Sequence, residues 1–166
     1  MRTLSRKVVA LAVLAALAFG AHVAGAASVK KSHTRTFSGR FTFHLAAPPC
    51  SALFCVRGVM HGSLGGTFDE LITTTTPAGP TRPGVVFGLG TIVLHTGQGN
   101  LTCDESYVFD LTPVSDKEGG IICKFVSGTG KMAGASGHLE LYGSQPAGSA
   151  PGSIGSGRYG GKLTLP

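Results

Sequence analysis

The stretch Leu101-Thr-Cys-Asp-Glu-Ser-Tyr-Val-Phe-Asp-Leu111 alternates without a break. Leu101, Cys103, Glu105, Tyr107, Phe109 and Leu111 take the odd positions, while Asp104, Ser106 and Asp110 point the other way. A period of two sends successive side chains to opposite faces of a strand. The segment therefore predicts a strand with one apolar row turned inward and a carboxylate, Glu105, set into that row. The same period recurs along the chain, over residues 36–45, 56–64, 67–76, 85–95, 121–127, 137–143 and 158–165. Pro48-Pro49, residues 77–83, Gly97 to Asn100, residues 113–120 and the Gly-Ser-Pro-rich residues 144–157 separate these runs as turns and loops. No segment sustains a 3.6-residue period. Eight strands with turn signals between them predict an all-β antiparallel barrel or sandwich.

The chain begins with an address label. Arg2, Arg6 and Lys7 precede an uncharged apolar run of 12 residues, 8–19, and Ala24-Gly-Ala26 offers a small-x-small cleavage site. That order describes a secretory signal peptide over residues 1–26. The run is shorter than the roughly 20 residues that span a bilayer as a helix, so no membrane span is expected after cleavage. Residues 27–33 are read as a flexible arm and residues 34–166 as one barrel domain. The expected location is secreted or extracytoplasmic, at the cell envelope.

Composition narrows the function classes. Of 14 Lys+Arg, three lie in the label, leaving 11 against 8 Asp+Glu. Lys30, Lys31, Arg35 and Arg40 cluster at the start of the mature chain, but no aromatic or Arg-rich stripe continues them, so a solvated arm is read and no nucleic-acid partner. Four cysteines suit an oxidising compartment and allow three pairings. Cys103 and Cys123 lie on the apolar rows of strands joined by residues 113–120. Pairing Leu101 with Phe125 and Glu105 with Ile121 sets them opposite, which leaves Cys50–Cys55 as a loop staple. No Cys-x-x-Cys or His-x-x-x-His accompanies the Cys50/Cys55 spacing, so no metal site is read. No cofactor motif, Gly-x-Ser-x-Gly elbow or phosphate loop appears. Asn100-Leu-Thr102 is a glycosylation sequon.

Residues 126–143, Val-Ser-Gly-Thr-Gly-Lys-Met-Ala-Gly-Ala-Ser-Gly-His-Leu-Glu-Leu-Tyr-Gly, resemble the Gly-rich turn Gly-x-Gly-x-Phe-x-Gly-Ala-x-Gly of the allene oxide cyclase/dirigent-like barrel superfamily, exported bacterial members included. In this reading Gly128 and Gly130 take positive φ, Met132 plugs one barrel end where the family usually has an aromatic, and Gly134 and Gly137 permit close backbone approach. The resemblance covers about 18 residues. It implies an eight-stranded antiparallel barrel with a lumen open at one end. The family's reactive groups lie on other strands and have no matched positions here, so chemistry does not transfer.

Alternation sorts the remaining polar groups. Phe68 and Ile72 flank Glu70, and the row Val85, Phe87, Leu89, Val93 ends at His95. Glu105, His95 and Glu70, with Tyr107 on the row of Glu105, are therefore candidate ligand contacts facing the lumen. A carboxyl in apolar surroundings has its charged form disfavoured, and a neighbouring His offers a proton partner. The competing expectation is structural: His95 reaches water at the rim and Glu105 finds a polar partner. Arg57 and His61 share the face opposite Val56, Met60 and Leu64 and are read as solvated. No catalytic set is read. The expected function is non-catalytic, either binding a small apolar ligand in the lumen or acting in envelope interactions. Alternatives are a cofactor-free isomerase or cyclase using Glu105 and His95, and a structural domain filled by Phe37, Phe41, Phe43, Phe87, Phe109 and Phe125. A cavity of about 300 Å3 or more favours a ligand; a filled interior favours structure. The sequence leaves the oligomeric state open.

Overall fold

The computed structural model describes residues 31–112, 116–149 and 152–166; the signal peptide and residues 27–30 of the arm lie outside the described residues. Eight antiparallel strands close into a barrel in chain order. They are β1 (His33–Leu45), β2 (Phe54–Gly62), β3 (Gly66–Pro77), β4 (Val85–Thr96), β5 (Gly99–Asp110), β6 (Lys117–Gly128), β7 (Ser136–Gln145) and β8 (Gly155–Leu165). The all-β barrel expected from the alternation is thus observed. Strands reach further into the loops than the apolar pattern does, because the ladder pairs residues such as Gly119 with Phe109 whatever their polarity.

How so many rings fit inside a narrow barrel follows from the glycines. Phe37, Phe41 and Phe43 of β1 stand directly opposite Gly161, Gly157 and Gly155 of β8. Tyr159 stands opposite Gly39, Phe68 opposite Gly58, Tyr107 opposite Gly88 and Phe109 opposite Gly119. In each pair the ring lies over the facing glycine: a Cβ added at Gly119 would meet Phe109 Cδ1 at 1.7 Å, and one at Gly155 would meet Phe43 Cζ at 2.3 Å. Cross-strand neighbours on one face are within contact range, so a missing side chain on one strand is the space its partner's ring fills.

The two barrel ends differ. Turns at residues 63–65 and 97–98 and the 3-10 turn Gly130–Met132 serve one end, and the longer connections that follow β1, β3, β5 and β7 serve the other. The short-turn end is plugged by Met132, Leu64, Leu101 and Leu163, all at most 3% exposed. Met132 therefore fills the plug position expected for it. Gly130 sits at φ 58 and Gly134 at φ 73, in the left-handed region open to glycine. Gly128 does not take the expected positive φ. It is needed for close approach instead, since a Cβ there would lie 2.1 Å from the Met132 carbonyl oxygen. Gly130→Val and Gly134→Val are each expected to cost about 1–3 kcal/mol; melts indistinguishable from the parent would refute the turn geometry.

Cys50–Cys55 and Cys103–Cys123 are bonded, as the sequence predicts. The expected register for the second pair is corrected. Cys103 faces Phe125 and Cys123 faces Glu105, so the bond crosses the ladder diagonally, next to a bulge between Thr102 and Cys103. Both cysteines are fully buried. Replacing both with Ala is expected to cost about 3 kcal/mol by the loop-entropy model for a separation of 20 residues, read as a lowered melting temperature with the barrel retained.

Candidate functional site

The inward rows place the candidates. On β5 the odd row is buried from Leu101 to Tyr107, half-buried at Phe109 and exposed at Leu111, and Glu105 is 2% exposed. On β3, Phe68, Glu70 and Ile72 are buried together, with Glu70 at 4%. On β4 the expectation is corrected. The inward row is Val86, Gly88, Gly90, Ile92 and Leu94, so Val85, Phe87, Leu89, Val93 and His95 face outward, with Phe87 and Leu89 exposed. Bulk misleads here because the lumen beside β4 is already occupied by side chains from β5.

His95 accordingly belongs to a surface network. Its Nε2 lies 3.0 Å from Asp69 Oδ2 and its Nδ1 3.3 Å from Asn100 Oδ1. Arg57 Nε donates to Asp69 Oδ1 at 3.2 Å. His95 and Glu105 are not brought together. Phe87, expected to fill the lumen, is likewise outside, while Phe37, Phe41, Phe43, Phe109 and Phe125 pack in or against the core.

Glu70 and Glu105 do meet. Glu105 stands opposite Gly90, and a Cβ at Gly90 would lie 2.2 Å from Glu105 Oε1. Glu105 therefore uses the slot that aromatic rings use elsewhere, and lies across β4 toward Glu70 on β3, near enough for the two carboxyls to shift one another's titration. Tyr107 does the same one step along: it lies over Gly88, and its hydroxyl donates to the Thr74 carbonyl at 2.8 Å and contacts Thr75 Oγ1 at 2.5 Å. Tyr107 is thus tied to β3 by bonds of its own.

Taken as two carboxylates, the pair is starved of donors: Glu70 Oε1 and both Glu105 oxygens are buried without a hydrogen-bond partner. Among the described residues no other buried residue is charged. One retained proton resolves the conflict, turning like-charge repulsion into an O–H···O bond. Burial pushes Glu105 up to about 9, helped by the charge of Glu70 and by the hydrogen bond in which Glu105 holds the proton. Burial pushes Glu70 up to about 7, with the bond from Glu105 pulling the other way. At neutral pH Glu105 is a carboxylic acid donating to Glu70.

Glu70 also lines a cavity of about 40 Å3 toward the long-loop end, together with Phe41, Phe43, Phe68, Phe109 and Ile121. Its walls are apolar and Glu70 is their one ionisable group. The cavity is well below the volume that holds a whole drug-sized ligand. The sequence singles out Glu70 and Glu105 by their apolar rows. It hides their contact, whose only trace is Gly90 facing Glu105 in a register that sequence alone does not fix.

No protein-family model and no curated protein matches this sequence. Among solved structures, the chain is similar to the pterocarpan synthase dirigent protein GePTS1, at 12% identity over 82% of this chain and 87% of that one, with a TM-score of 0.47. The barrel described above rests on its own strand pairing.

Proposed function

We propose that this chain is an exported, non-catalytic barrel that binds a small apolar molecule at its long-loop end. The lumen falls short of the about 300 Å3 that a whole ligand needs, so the reading rests on the chemistry of the small cavity there: aromatic walls with one ionisable group, Glu70, whose Oε1 is buried without a hydrogen-bond partner. Recognition sites commonly combine an apolar lining with one or two placed polar groups. Export is supported by two disulfides. Among the described residues, no helix is long and apolar enough to cross a membrane. Native mass spectrometry of protein from its own host tests the binding; a retained small molecule is expected. Protein that carries nothing, and that takes up no apolar probe, would overturn the reading. N-terminal sequencing of the same sample is expected to start at Ala27 or within a residue or two, and an intact Met1 would refute export by cleavage.

One observation favours a second reading. Glu105 is a carboxylic acid at neutral pH, hydrogen-bonded to a carboxyl in an apolar wall, which is the equipment of general acid catalysis. Under that reading, a cofactor-free isomerase, Glu105→Gln abolishes turnover of a bound molecule while leaving its binding intact.

A further inference from the structure

The cavity and its surroundings are mismatched in size. A water needs about 10–15 Å3 of such space, so about 40 Å3 holds roughly three waters or the head of a molecule, not its body. Above the cavity, however, three inward rows run on out of the barrel. The β1 row continues from Phe43 to Leu45, the β2 row begins at Phe54 before Val56, and the β5 row continues from Phe109 to Leu111. Leu45, Phe54 and Leu111 are 42%, 47% and 45% exposed. They continue the lumen-facing rows toward the long-loop end and stand outside the core, as exposed apolar side chains at that end.

We propose that this mouth binds an amphipathic amine, with its ammonium against Glu70 and its apolar body across Leu45, Phe54 and Leu111. The inference rests on reading the mouth as a ligand site and names the ligand's class. Even with one proton shared between them, the two carboxyls leave buried oxygen without a donor. An ammonium supplies three N–H donors and a positive charge, whereas an alcohol supplies one donor and no charge. A fatty carboxylate would set a second negative charge beside that of Glu70 and is disfavoured. No lysine, arginine or histidine among the described residues is buried to compete for the pair. The other titratable side chain that senses it, Tyr107, is pushed up by burial and brings no positive charge. From Gly88, Gly90 and Ile92 on β4 and Val56 on β2 the pair meets no charge.

Proton balance follows. The amine arrives already protonated, and Glu70 must be ionised to receive it, so any proton Glu70 holds goes to solvent. Calorimetry with octylamine, octanol and octanoate at pH 6 and pH 8, each in two buffers of different ionisation heat, tests this on the mature protein. Octylamine is expected to bind at least about tenfold tighter than octanol, and octanoate not at all. Its binding should release about one proton at pH 6 and only about a tenth of one at pH 8, with affinity rising about tenfold between them. Glu70→Gln should erase the preference for amine over alcohol. Equal binding of octanol and octylamine, or no proton release at pH 6, would overturn the inference while leaving the ligand site standing. Binding of none of the three would overturn both. The proton count is read on the parent protein, so the inference stays testable if Glu70→Gln does not fold.

Discussion

Raising the pH from 5 to 9 is expected to strip the barrel of stability on the order of 5 kcal/mol, through two side chains alone. In the unfolded chain Glu70 and Glu105 release their protons near the ordinary value of 4.5; folded, they hold them to about 7 and about 9. Between those limits the unfolded state binds fewer protons than the folded one, so unfolding becomes easier with every step upward in pH. The contribution is fully present below about pH 4.5 and is lost as pH passes 7 and then 9. Most single-domain proteins lose stability in acid, where paired carboxylates are protonated; this barrel should show the opposite slope over that range. Glu105→Gln should remove its own share of that slope and leave the share of Glu70. The amide donates to Glu70 as the carboxylic acid did, and it has no proton to lose. The variant should match the parent at pH 5 and melt higher at pH 8. Denaturant melts across that range decide the matter, and parallel curves for parent and variant would show that the pair is not the cause.

The second large effect is expected at Gly90. A Cβ there would lie 2.2 Å from Glu105 Oε1 and 2.5 Å from the backbone oxygen of Leu71. The side-chain oxygen can move only by leaving its one partner, and the backbone oxygen is held in the β3–β4 ladder. Gly90→Val therefore combines overpacking with a buried carboxyl pushed off its hydrogen bond, each costing about 1–3 kcal/mol or more. Loss of the folded barrel at neutral pH is expected. Gly97 is the control, since a Cβ added there meets nothing within 4 Å. Gly97→Ala should melt within about 0.5 kcal/mol of the parent. If Gly90→Val folds and melts like Gly97→Ala, Glu105 does not lie across β4.

The strand content was legible because most inward rows are also the apolar rows, as on β5, where Leu101 to Phe109 are buried or half-buried at every odd position. On β4 the rule inverted. The bulky set Val85, Phe87, Leu89 and Val93 lies outside because Tyr107 and Glu105 from the next strand occupy the lumen and leave room only for Gly88 and Gly90. Hydrophobicity counted strand by strand cannot see a neighbour's side chain. That one inversion carried His95 to the surface and parted it from Glu105. The disulfide pairing survived an error in register because a diagonal pair and a direct pair are both within reach of a sulfur bridge. Glu70 and Glu105 were each recognisable as carboxyls in apolar rows. That they share a proton depends on which rungs of three strands align, and a bulge between Ile72 and Thr74 lies beside them.

His33 pairs with Leu165 at the plugged end of the barrel, so β1 enters and β8 leaves on the same side. Attachment is therefore directional. A fusion partner, a resin or an envelope tether joined at either end of the barrel domain would hold the molecule by its sealed base, with Leu45, Phe54 and Leu111 turned away from the support. Such a protein can be displayed without masking its mouth. Joining residues 33 and 165 through a short linker and cutting instead in a long loop would reverse that presentation, and would press the long-loop end against whatever anchors it.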